Sequence, residues 1–142
     1  MKRDITSESL LDSIMPSLIF IILSVLVFAI AGICFLCGIG EDYILIFVIV
    51  CSCVIVVCLP FLIYYSVMYR RFQKLLKTCK VNYGNLDEVD NVSIFLGGPH
   101  VVIDGHKSLG IYQYRLVKRL VNTEVEYILD GETAYLLRPV EY

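Results

Sequence analysis

The chain has 142 residues, 58% of them hydrophobic and only 18% charged, with a formal net charge of −2 and a mean hydropathy of +0.75. A water-soluble globule of this size carries more charge and less apolar content, so that class is excluded. The acidic balance, with no broad basic face, also excludes a nucleic-acid binder.

Residues 1–15 read as a cytoplasmic N-terminal segment, with Lys2 and Arg3 beside Asp4, Glu8 and Asp12. From Ser13 to Gly40, and again from Tyr43 to Tyr69, there is no charged residue. Each run exceeds the roughly 20 residues that a helix needs to cross a bilayer core of about 30 Å. This predicts a transmembrane helical hairpin over 16–69, with Pro16 in its first helical turn and a reversal near 38–42. So short a connection makes the helices antiparallel neighbours. Pro60 cannot donate to the carbonyl of Val56, which predicts a kink. Ala31, Gly32, Cys34, Gly38, Cys51, Ser52 and Cys53 supply small side chains for close helix contact.

Cys34-Phe35-Leu36-Cys37 has the spacing of a redox or metal pair. No histidine or charge in either span would stabilise a thiolate, so the cysteines read as small packing residues. All six cysteines precede the C-terminal domain, which therefore has no disulfide framework and fits a reducing compartment. Ala29-Ile30-Ala31 before Gly32 resembles a signal-peptidase site, but the preceding segment is long and acidic and the apolar run continues past it, which favours an uncleaved span.

Tyr64, Tyr65 and Tyr69 form an aromatic belt where the second span leaves the hydrocarbon, and Arg70, Arg71, Lys74, Lys77 and Lys80 follow without an acid among them. These eight residues are the expected membrane interface. The turn between the spans has no Lys or Arg, so the positive-inside rule places both termini in the cytoplasm of a multi-pass protein of the cell membrane. Residues 70–80 form a basic amphipathic stalk, with Phe72, Leu75, Leu76 and Cys79 on one face. The stalk either meets anionic headgroups, at about 1 kcal/mol per basic residue, or is an anchor whose apolar stripe packs on the soluble domain.

Residues 81–142 form a small β-rich cytoplasmic domain. Asn82 to Asn91 is polar and reads as a linker, and Asn91-Val92-Ser93 is a chance sequon in this topology. Val92 to Leu96 alternates at period two, Gly97-Gly98-Pro99 breaks the pattern, and a new strand starts at His100. Glu126 to Leu137 reads as a hairpin, with Asp130-Gly131 as the centre of a type I′ turn. Arg115 to Val121 suits either a short helix or strand flanks.

Tyr114, Val117, Leu120, Thr123, Tyr127 and Leu129, followed by a turn and Ala134-Tyr135-Leu136-Leu137, resemble the YcxB-like bacterial membrane proteins. The resemblance implies a two-helix hairpin followed by a PH-like β domain, with the Tyr114 ring plugging one end of the sheet and Thr123 at a strand junction. It also implies a terminal helix after a Pro-Lys pair. Arg138-Pro139-Val140-Glu141-Tyr142 stands in that place, which leaves the β domain incomplete and its cover to the stalk, a second copy or a partner.

No catalytic constellation emerges. His100, Asp104 and His106 lack an evident fourth ligand and read as polar loop residues. Gly97-Gly98-Pro99 lacks the Lys and Ser/Thr of a phosphate loop. Ser108, Thr123 and Thr133 have no base beside them in sequence, and Glu124 with Glu126 reads as a solvated face. The expectation is a non-enzymatic, membrane-anchored binding or scaffold protein without cofactor or metal, recruiting a protein partner or a second copy through an open strand edge. An accessory subunit of a larger membrane complex, or an anionic-lipid sensor acting through the stalk, are the alternatives.

Overall fold

The structure is a computed structural model and describes residues 4–90 and 98–140. The Asn91-Val92-Ser93 triplet, the strand expected over Val92 to Leu96, and Lys2 and Arg3 lie outside the described residues. Two compact units divide the chain, one of Asp12–Val67 and the other of Met1–Leu11 with Met68–Tyr142.

The first unit is the apolar hairpin. Its helices belong to α1 (Ile5–Leu36) and α2 (Glu41–Thr78), both long and apolar enough to cross a membrane. Phe20, Leu26, Ile33, Phe47, Val56 and Ile63 are each more than half exposed, a surface that belongs in an apolar solvent rather than water. The end of α1 explains the sharp reversal. Gly38 has φ +66°, Ile39 N–H reaches the Cys34 carbonyl and Gly38 N–H the Phe35 carbonyl. That is the Schellman arrangement, which satisfies carbonyls the helix would leave open. Gly40 then accepts from the N–H groups of Tyr43 and Ile44 and opens α2.

Two expectations for this unit need correction. Pro16 lies inside α1 rather than in its first turn, because Ile5 to Met15 are already helical. Of the small residues expected at a close contact, only Ala31 and Cys51 are buried, joined by Ser24. Gly32 faces open space, Cys34 is half-buried, Cys37 and Cys53 are exposed, and Ser52 donates to the Val48 carbonyl one turn back.

The second unit is a five-stranded antiparallel sheet of β1 (Val81–Asp90), β2 (His100–Ile103), β3 (His106–Lys107), β4 (Glu124–Asp130) and β5 (Thr133–Pro139), in the order β3-β2-β1-β4-β5. A short helix, α3 (Tyr114–Lys118), precedes β4. The linker expected over Asn82 to Asn91 is in fact the central strand. Residues 81–85 pair with β4, and 86–90 with β2. The change of partner falls at a bulge where Asp87 is the extra residue, and such bulges bend a strand sharply. The sheet curls until Ser108, just after β3, bridges Ala134 on β5.

The two Asp-Gly pairs make different turns. Asp104 and Gly105 both have positive φ (48° and 79°) between paired Ile103 and His106, which is the type I′ pattern. At the β4–β5 hairpin Asp130 pairs directly with Thr133, so the central residues are Gly131 and Glu132. Only Gly131 has positive φ. This corrects the expected type I′ turn to the pattern of type II′, where a glycine takes the first central position.

The core inside the curl contains Leu86, Val101, Ile103, Tyr112, Val117, Val125, Tyr127, Ala134 and Leu136. Ile128, Tyr135 and Leu137 are buried as well, although alternation points at least Ile128 and Tyr135 away from that core. Within this unit Phe72 is fully buried and its ring lies 5.5 Å from that of Tyr135. Leu10 is fully buried too. Residues flanking both ends of the apolar hairpin thus supply cover for the sheet, which is why Ala134-Tyr135-Leu136-Leu137 is apolar without alternation.

Candidate functional site

Two places in the second unit combine polar chemistry with defined geometry: the join between the N-terminal segment and β5, and the outer faces of the α2 end and α3.

At the join, Thr6 is fully buried. Its hydroxyl donates to the Leu136 carbonyl (2.5 Å), Leu136 N–H donates to the Tyr112 phenol oxygen (3.1 Å), and Thr6 Oγ1 lies 2.9 Å from that phenol. Since Thr6 has already spent its one proton, the Tyr112 hydroxyl donates to Thr6. The three bonds close a ring with every group satisfied. Burial pushes the Tyr112 phenol up to about 12, against the opposing pull of its bonds to Thr6 and Leu136. Beside the ring, Leu137 is the extra residue of a β4–β5 bulge. Gln73 donates to Ser7 at 3.1 Å, tying the end of α2 to the start of α1. Just before Ile5, burial raises the Asp4 carboxyl above its usual range; Arg138 opposes the rise and Glu126 adds to it.

This arrangement corrects one expectation. Tyr112, not Tyr114, is the buried ring; Tyr114 is 40% exposed. The outer edge of β5 is occupied at Ala134 by Ser108 and at Leu136 by Thr6 and Tyr112. The sequence carried no sign of either, because Ile111-Tyr112-Gln113-Tyr114 offers two tyrosines at one spacing, and the partner that decides between them is 106 residues away.

Most of the polar groups weighed for catalysis have structural partners. Ser108 Oγ accepts from Val101 N–H and donates to the Leu109 carbonyl. His100 Nδ1 donates to the Ser108 carbonyl at 2.8 Å, which fixes its tautomer. Thr123, at the junction into β4, donates to the Leu120 carbonyl. Asp104 accepts from Asn85 N–H at 3.1 Å and bonds the Tyr127 phenol, which burial, foremost, and this carboxylate raise above its usual range. A β-carbon on Gly84 would stand 1.9 Å from Asp104 Oδ2, so only glycine leaves room for that carboxylate. Glu126 is not on a solvated face. Its carboxylate, 14% exposed, takes two bonds from Arg138. Among the described residues, no group of three or more His, Cys, Asp or Glu is placed to hold a metal ion.

Of the expected interface residues, Tyr64 and Tyr65 meet edge to face at 5.3 Å in the hairpin unit. Tyr69, half-buried, and Arg70, Arg71, Lys74, Lys77 and Lys80, all exposed, belong to the second unit. Arg71 pairs with Asp130 at 2.6 Å. Arg70, Lys74 and Lys77 recur at i, i+4 and i+7 and so form one stripe of α2, opposite buried Phe72. Lys80 lies past the helix end.

No family model, curated protein or solved structure matches this chain.

Proposed function

We propose that this chain is a non-enzymatic, membrane-anchored binding protein. Its apolar hairpin spans the cell membrane, and its PH-like β unit stands on the cytoplasmic face, with both termini on that side. The observation that carries this reading is the construction of the β unit from both flanks of the hairpin. Leu10 and Thr6 before the first apolar run, and Phe72 after the second, are buried in one unit with the sheet. A unit rooted at both ends of a hairpin keeps those ends on one side of any bilayer the hairpin crosses. The YcxB-like resemblance and the Arg70, Lys74 and Lys77 stripe, set where the positive-inside rule wants it, point the same way.

The binding reading, rather than catalysis, rests on the structural engagement of His100, Ser108, Thr123 and Asp104. The same stripe favours anionic headgroups as an additional contact. The test is the protein content and native mass of the full chain purified in mild detergent through a C-terminal tag. A second protein, or a second copy, at fixed stoichiometry is expected. A lone monomer under conditions that keep the β unit folded would overturn the reading.

A further inference from the structure

Residues 81–142 contain nine Asp and Glu against five Lys and Arg, yet three of those five, Arg115, Lys118 and Arg119, fall on α3 and its C-terminal residue with no acid among them. The other two are paired, Lys107 with Asp90 and Arg138 with Glu126. The three on α3 have no carboxylate partner among the described residues. Tyr114 and Leu116 on the same helix, with Tyr83 on β1, are the exposed large apolar residues of this unit among those described. Only Val117 of α3 turns into the core.

Helix stability does not account for this composition. Gln113 makes no side-chain cap bond. Arg115 and Arg119 are like charges at i and i+4, which repel. Lys118 Nζ lies 5.4 Å from the Tyr114 ring centre, which orders the two as a cation–π pair. Exposed tyrosine and arginine around an aliphatic centre are the residues enriched where proteins dock.

Position separates α3 from the stalk. Arg71, three residues after the chain returns from the hairpin, holds Asp130 at one end of β4. Residues 119–123 lead from α3 into Glu124 at the other end, roughly 20 Å away at the rise of a seven-residue strand. Leu116 among the three cations offers an aliphatic contact that a peptide side chain uses and a chain of phosphates does not. Building on the binding reading above, we infer that α3 is a docking surface for an acidic segment of a protein partner. Carboxylates would pair with Arg115, Lys118 and Arg119, and an apolar side chain would rest against Tyr114 and Leu116.

The test uses the full chain in phosphatidylcholine nanodiscs and, as probe, a fluorescein-labelled peptide of Glu-Asp-Leu-Glu-Asp-Phe repeated twice, read by polarisation with empty discs as blank. Binding is expected to weaken at least tenfold in R115Q/K118Q/R119Q and in L116S, and to be unchanged in K107Q, an exposed cation on β3. Hydrogen exchange at Leu136 checks that each variant is folded. Wild-type binding no tighter than the blank, or an unaffected triple variant, overturns the inference. So does preferential α3-dependent capture of an oligouridylate or of phosphatidylglycerol vesicles, which would assign the surface to a different polyanion. A chain that purifies alone yet binds the peptide would sink the stable-complex reading and leave α3 standing; the converse result would sink α3 alone.

Discussion

Replacing Thr6 by Val probes the ring that joins the N-terminal segment to β5. The two side chains have nearly the same shape, so the change removes one hydroxyl without opening a cavity. It leaves the Tyr112 hydroxyl without its acceptor and the Leu136 carbonyl without its donor, both deep inside the unit. Each orphaned group costs about 1–3 kcal/mol, and the added methyl returns at most about 1 kcal/mol. The net destabilisation is therefore about 1–5 kcal/mol, at its upper end a large part of the roughly 5–15 kcal/mol that holds a typical domain together. T6S keeps the hydroxyl and should cost far less. Y112F orphans only the Leu136 N–H and should fall between them. The chain has no tryptophan, so amide hydrogen exchange over residues 134–137 is the suitable assay. T6V should lower protection there by about fivefold or more, since each 1.4 kcal/mol is a factor of ten. Unchanged protection in T6V would refute the ring.

Other outcomes follow from the same geometry. F72A should destabilise the second unit by about 3–5 kcal/mol, the usual cost of truncating a buried phenylalanine, measured by the same exchange. G84A should displace the Asp104 carboxylate and cost about 1–3 kcal/mol through its lost bonds; added to D104A it should cost little more, and full additivity of the two would contradict the contact. Alkaline titration should separate wild type from Y112F. The phenol in the folded chain sits at about 12 against about 10 when unfolded. Its stabilising contribution is therefore complete below pH 10 and is lost as pH rises towards 12, so the wild type should lose stability over that window faster than Y112F, read by circular dichroism. Breaking the Arg71–Asp130 pair with R71Q should change stability by less than about 1 kcal/mol, because the Arg71 side chain is 65% exposed.

The apolar hairpin was legible because its signal is local: two uncharged runs, two glycines at the reversal, and a tyrosine belt followed by cations. The burial of Phe72 on the apolar face of the α2 end was legible for the same reason, since that face recurs at helical spacing. The central strand was not. Asn82, Gly84, Asn85, Asp87 and Glu88 look like a linker, and they become a strand because β4 and β2 supply hydrogen bonds on either side. The start of α1 was hidden for a related reason. Thr6 and Ser7 are polar, yet both are buried in the second unit, and nothing near them in sequence announces partners more than 60 residues away. The capping of the β5 edge was not legible, because Thr6, Tyr112 and Ser108 come from three separate places in the chain.

The most direct test of the account is the sidedness of three points on the chain in sealed membrane vesicles of both orientations. Protease-cleavable tags at the N-terminus, at the C-terminus and between Gly40 and Glu41 should report the two termini together on the cytoplasmic face and the inserted turn alone on the other. Termini on opposite faces, or all three sites on one face, would contradict a β unit rooted at both ends of a membrane-spanning hairpin.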